Sequence, residues 1–170
     1  MDKLIYNQNK LPKDRWRYGF RASAATGCGW IATYNALRLM GQAAVPEQVI
    51  RSYEKMLPVI NGTVGTFLLD PILYFKKRGY RVEVRVRRSK FDQTAKSSDA
   101  SILYYWWREK FRVGAHYVAL HPRDGRFIGY NTYRNSRGPD DYGESLSSFL
   151  KKRKYFWPVL IGIRKNRNGK

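Results

Sequence analysis

The feature that most constrains this chain is a change of hydrophobic period near Tyr80. Upstream, Trp30, Tyr34, Leu37 and Met40 recur at three- and four-residue spacing, which predicts a helix over 29–40 with Gly41 as its C-terminal stop. Pro46 suits a first helical turn; Val49, Ile50, Tyr53 and Leu57 carry a second helix until Pro58 blocks it. Asp70 as cap and Pro71 as first residue open a third, which runs to Arg78 and ends at Gly79. From 80 to 87 the pattern becomes strict alternation, with Tyr80, Val82, Val84 and Val86 on one face and Arg81, Glu83, Arg85 and Arg87 on the other, as in a half-exposed strand. Further strands are expected over 101–106, 116–120, 126–130 and 159–164, with a turn at His121-Pro122-Arg123-Asp124-Gly125. Helices first and strands after is an α+β order, not alternating βαβ: N-terminal helices packed on a C-terminal antiparallel sheet.

A chain of 170 residues has the size of one domain, and no repeat, Gly/Ser linker or low-complexity block divides it. With a single cysteine, the core is built without internal disulfides. The thiol of Cys28 is therefore a small core group, a metal ligand without cysteine partners, or a nucleophile. No zinc spacing, phosphate-cradling glycine loop or pair of carboxylates on a shared helix face is present, so no metal or cofactor is expected. No stretch resembles a signal-peptide core or a membrane span, which with the unpaired cysteine points to the reducing cytoplasm. The formal charge of +20 creates a positive potential that attracts polyanions. It is spread over Lys76-Lys77-Arg78, Arg85-Val86-Arg87-Arg88, Arg108 to Arg112, Lys151 to Lys154 and the tail, which also suits a solvated basic surface.

Cys28 stands in Gly27-Cys28-Gly29-Trp30 at the start of the first helix, where unpaired backbone N–H groups favour a thiolate. The flanking glycines leave room for a substrate backbone, and the Cys28 N–H can donate to an oxyanion formed beside it. A thiol nucleophile needs a proton acceptor, and the chain has only His116 and His121. His116 follows Gly114-Ala115 and precedes the apolar Tyr117-Val118-Ala119-Leu120; His121 opens a turn and is expected in solvent. An imidazole in this role is oriented by a group accepting from its other nitrogen. Hairpin pairing of 116–120 with 126–130 brings Asn131 to His116, with Thr132 and Tyr133 placed to cover the amide; Asp124 lies at the wrong end. Each of the three residues has an ordinary explanation alone: a small buried side chain, a strand histidine, a turn former. Their combination points to nucleophilic catalysis.

Gly27-Cys28-Gly29-Trp30, Gly114-Ala115-His116-Tyr117-Val118 and Tyr130-Asn131-Thr132-Tyr133 together resemble the papain-like cysteine peptidases. The closest likeness is to the compact bacterial branch that includes the leader-cleaving peptidase domains of bacteriocin exporters. Gly65-Thr66, Asp70, Lys76-Lys77-Arg78-Gly79-Tyr80 and Val82 are similar to the corresponding region of that branch. The resemblance implies a papain-like fold, with Cys28 as nucleophile, His116 as base and then acid, and Asn131 as orienter, where the exporter branch usually has aspartate. One position departs from the pattern. The family's oxyanion-hole glutamine precedes the cysteine by six residues, and here that residue is Ala22. Loss of such a donor costs about 3 kcal/mol of transition-state stabilisation. Ser23 is the candidate replacement, with Gln8 and Arg21 as other donors.

The expected function is thus a cysteine hydrolase acting on a peptide or amide bond through a thioester. Two alternatives are a catalytically silent basic domain that binds nucleic acid or another polyanion, and a cysteine-dependent acyltransferase. For the polyanion reading, Tyr104-Tyr105-Trp106-Trp107-Arg108 sets aromatics beside a cation, although strand alternation buries about half of such a run.

Overall fold

The computed structural model describes residues 4–56 and 65–166. Two short strands, β1 (Arg17–Tyr18) and β2 (Arg21–Ala22), pair and lead into a single helical turn, α1 (Ser23–Thr26). Then follow α2 (Cys28–Leu39), α3 (Pro46–Glu54), α4 (Leu69–Lys76), β3 (Arg81–Arg85), α5 (Phe91–Lys96), β4 (Ala100–Glu109) and β5 (Arg112–Arg123). The chain continues through β6 (Arg126–Tyr130), β7 (Asp140–Gly143), α6 (Leu146–Lys152) and β8 (Phe156–Arg164). Strands β3 to β8 form one sheet in the order β3-β8-β4-β5-β6-β7, with antiparallel neighbours throughout.

The three expected helices are present with adjusted ends. α2 starts at Cys28 and stops where Gly41 takes a φ of 71°, a conformation that costs glycine little. α3 starts at Pro46 and ends at Glu54; Leu57, Pro58, Gly62, Thr63 and Val64 lie outside the described residues. α4 starts at Leu69, two residues before the expected Pro71. Asp70 caps from inside the first turn, its Oδ2 accepting from the Phe67 N–H at 3.0 Å.

Strand β6 has the expected bounds, whereas β4, β5 and β8 run beyond them. Ladder pairing continues past the last apolar residue, as in Arg108 opposite Val113, because backbone hydrogen bonds hold the hairpin whatever its side chains. The β5–β6 turn is tighter than the five residues expected. Arg123 pairs with Arg126, leaving Asp124 and Gly125 at φ 50° and 76°, the Asp-Gly pair that a two-residue primed turn prefers.

Both faces of the sheet are covered. Ile102, Tyr117, Ile161 and Ile163 pack with Trp30, Ile31, Tyr34 and Leu37 of α2 and with residues of α3 and α4. Leu103, Tyr105, Val118, Leu120, Phe127 and Leu160 form a second core with Phe91 of α5 and Leu146 and Leu150 of α6. Full burial of a large apolar side chain contributes about 1.5–3 kcal/mol, so a sheet apolar on both faces favours cover on both. This explains β4, whose Ile102 and Leu103 are both buried on opposite faces, and why Tyr105 lies in a core and not on a stacking surface. β3 is one edge of the sheet. Val82 packs against the α2-side core, but Val84 and Val86 are exposed, so the apolar face expected over 80–87 is only partly buried. No described helix is long and apolar enough to cross a membrane.

Candidate active site

The turn that presents Cys28 is built by Ser23 and Trp30. The Gly27 N–H donates to the Ser23 carbonyl at 2.8 Å, closing α1, and the Ile31 N–H donates to the Gly27 carbonyl at 3.0 Å, opening α2. The fully buried Trp30 indole donates from Nε1 to the Ser23 hydroxyl at 3.0 Å. Ser23 is itself fully buried, so its hydroxyl is held inside the turn before Cys28 and is not exposed, as the expected replacement oxyanion donor would be. Gly29 is required by close approach: an ideal Cβ there would lie 2.2 Å from Thr66 Oγ1 and 2.4 Å from Thr66 Cβ. The segment before α4 thereby crosses directly over the first turn of α2, and the Tyr117 hydroxyl ties it down by donating to the Thr66 carbonyl at 3.3 Å.

The thiol of Cys28 is partly buried, and the backbone N–H groups of Tyr117, Gly29 and Cys28 itself favour its thiolate. Two are the orphan donors of the helix terminus; the third comes from β5, one residue beyond His116. Burial outweighs them and pushes the thiol up to about 11. The sequence expectation of a thiolate at this terminus is thus reversed in the resting protein, because losing water costs the anion more than three peptide dipoles return.

His116 sits on β5 opposite Tyr105 of β4, its ring edge-on to the Tyr105 ring at 6.1 Å. Nε2 lies 2.6 Å from the Asn131 main-chain carbonyl. A carbonyl only accepts, so Nε2 carries the proton and the neutral ring keeps its lone pair on Nδ1. Burial holds the imidazole below its ordinary range, against the Asn131 carbonyl, which favours the cation. The β5–β6 hairpin does bring Asn131 to His116, but the contact is made by backbone. The Asn131 side chain faces Gln8: its Oδ1 accepts from the Gln8 N–H at 2.8 Å, and its Nδ2 donates to Gln8 Oε1 at 3.1 Å. Asn131 is buried with φ 68°. Thr132 beside it is also buried, whereas Tyr133 is half-buried under Arg153.

Gln8 reaches further, its Nε2 donating to the Ala24 carbonyl of α1 at 3.2 Å. The neighbouring residues stitch the N-terminal segment down. Asn7 Nδ2 donates to the carbonyls of Arg134 and Ser136 at 2.8 and 3.1 Å. The buried Asn35 amide bonds both the N–H and the carbonyl of Ile5 at 2.9 and 2.8 Å. No local pattern marks these amides in the sequence, since their partners lie up to 129 residues away. His121 is half-buried with Nδ1 sequestered, not solvated as its turn position suggests. Asp124 is exposed and pairs with Arg123. A cavity of about 590 Å³ lies away from Cys28, between β3 and α5, lined by Glu83, Arg85, Arg87, Lys90 and Arg164 among others.

The N-terminal helices packed on the antiparallel sheet make a papain-like α+β fold. In particular, the structure is similar to the peptidase domain of Streptococcus ComA, a bifunctional ABC transporter involved in a quorum-sensing pathway. The TM-score is 0.55 at 13% sequence identity, over 84% of this chain and 93% of that one. No family model and no curated protein matches the sequence.

Proposed function

We propose that this protein is a cysteine hydrolase that cleaves a peptide or amide bond through a thioester on Cys28. What supports the reading is the backbone N–H of Tyr117, one residue along β5 from His116, favouring the Cys28 thiolate, together with the Asn131 carbonyl, which holds the imidazole in the tautomer with a basic Nδ1. A substrate carbonyl placed at the head of α2 is attacked by the sulfur as the thiol proton passes to His116 Nδ1. The tetrahedral oxyanion forms at the helix terminus, where the Cys28 N–H supplies one donor. The C–N bond then breaks, and the leaving amine takes the proton from His116. Water, deprotonated by the same nitrogen, hydrolyses the thioester and restores the thiol. An amine in place of water would make the product a new amide, the acyltransferase outcome of the same intermediate.

Incubation with an activated acyl ester or a peptide thioester, followed by intact-mass measurement, tests this. The expected result is one acyl adduct, labile to hydroxylamine, that is absent in Cys28→Ala and forms at least 100-fold more slowly in His116→Ala. An adduct rate indifferent to His116, or no adduct on Cys28, overturns the proposal.

A second reading rests on the cavity between β3 and α5, where four cationic side chains face the single carboxylate of Glu83. Glu83 is shared between Arg85 and Arg164, which leaves Arg87 and Lys90 to meet an anionic polymer. Binding to single-stranded nucleic acid that weakens steeply with salt and survives Cys28→Ala supports it; no binding at low salt removes it.

A further inference from the structure

We infer that Gln8 is a positioning residue of the Cys28–His116 site, acting through Asn131, whose main-chain carbonyl and not its side-chain amide orients the imidazole. The inference rests on the proposed pairing of Cys28 with His116, and it assigns a catalytic purpose to the N-terminal segment.

The Asn131 amide is turned to Gln8, and His116 meets the main-chain carbonyl instead. Its oxygen already accepts from the Gln8 N–H at 2.8 Å and its nitrogen already donates to Gln8 Oε1 at 3.1 Å. This two-point clamp fixes the Asn131 residue in the left-handed region at φ 68°, a conformation that asparagine tolerates better than most residues. In that conformation its carbonyl meets His116 Nε2 at 2.6 Å. An uncharged carbonyl selects the tautomer as a carboxylate would, without the negative charge that would draw a second proton onto the ring. The same Gln8 side chain donates to the Ala24 carbonyl at 3.2 Å, in the turn that leads through Gly27 to Cys28. One residue therefore ties the end of β6, which sets the base, to α1, which sets the nucleophile. Asn7 and Asn35 hold the residues just before Gln8, so the clamp is mounted on fixed backbone.

The test combines Gln8→Ala, Asn131→Gly and the double variant, with Cys28 acylation and the imidazole ¹⁵N shifts as the two readouts. Glycine keeps the carbonyl and accepts the left-handed φ, so it removes the clamp and leaves the orienting group. Each single variant should slow acylation about tenfold by loosening the geometry. The double variant should be slowed well short of the product of the two, because both changes remove the Asn131 Nδ2–Gln8 Oε1 bond even though Gln8→Ala spares the main-chain Gln8 N–H. The Nε2–H tautomer should persist in Asn131→Gly. Loss of that tautomer in Asn131→Gly, or a slowing there as large as in His116→Ala, would show that the amide is the orienter and overturn the inference. So would an unchanged rate in Gln8→Ala, or a double variant slowed about 100-fold, the product expected for independent effects. If acylation proves indifferent to His116, the hydrolase reading fails instead, and the tautomer in Asn131→Gly still decides which part of Asn131 holds the ring.

Discussion

Alkylation of Cys28 across pH turns the geometry of the thiol into a measurable number. The thiol is pushed from 9.0 up to about 11 by burial, so near neutrality its thiolate fraction is about 100-fold below that of an unperturbed thiol. A more basic thiolate is also a better nucleophile; with a Brønsted slope of about 0.4–0.5, the shift returns roughly six- to tenfold. The net expectation is alkylation about 10- to 15-fold slower than a small free thiol at the same pH. The rate should climb about tenfold per pH unit until it levels near 11. Because the chain has a single cysteine, iodoacetamide labelling followed by intact mass reads Cys28 alone, with Cys28→Ser as the blank. The same shift affects stability. Between 9.0 and about 11 the unfolded thiol ionises while the folded one stays protonated, so stability is fully present below 9.0 and falls as pH rises. The loss amounts to at most about 3 kcal/mol, and the wild type minus Cys28→Ala difference isolates it from the buried tyrosines. A rate plateau between about pH 5 and 8, or labelling faster than a free thiol, would mean a resting thiolate–imidazolium pair and refute the argument from burial.

Four further outcomes follow from the structure. His116 is held below its ordinary range by burial, so the free base persists below the usual imidazole pKa of about 6.5. Acylation of Cys28 should therefore keep its neutral-pH rate at pH 6.5, and an acid limb centred above that value contradicts the burial of the ring. By the same linkage, the His116 contribution to stability is present above the unfolded pKa and is lost as pH falls through the folded one; chemical denaturation of His116→Phe against wild type should show the difference shrinking in acid. Gly29→Ala drives a methyl into Thr66, and should cost about 1–3 kcal/mol with a lowered Tm; a neutral substitution would place the residues before α4 elsewhere. Asn35→Ala strips both backbone partners from Ile5, and a destabilisation of about 2 kcal/mol is expected, with faster proteolysis within residues 4–11. Unchanged proteolysis would mean that the N-terminal segment is held by other contacts.

The alternation of residues 80–87 and the helical spacing of Trp30, Tyr34 and Leu37 were sufficient to read an α+β fold, because periodicity reports which face of an element is dry. The same logic found the hairpin that carries His116 towards Asn131. It did not find α5, β7 or α6, which are too short for a period to register, and so it missed that the sheet is covered on its second face and that Tyr105 is core. The chemistry divides in the same way. Residue type and order marked Cys28, His116 and Asn131 as candidates, since few side chains are suited to serve as nucleophile, base and orienter. Whether Cys28 rests as thiol or thiolate, whether Asn131 offers its amide or its carbonyl, and what Gln8 does were decided by tertiary structure alone. Desolvation and hydrogen bonding are sums over whatever surrounds an atom, and at this site the surroundings come from segments as far apart as Gln8 and Asn131, 123 residues distant along the chain.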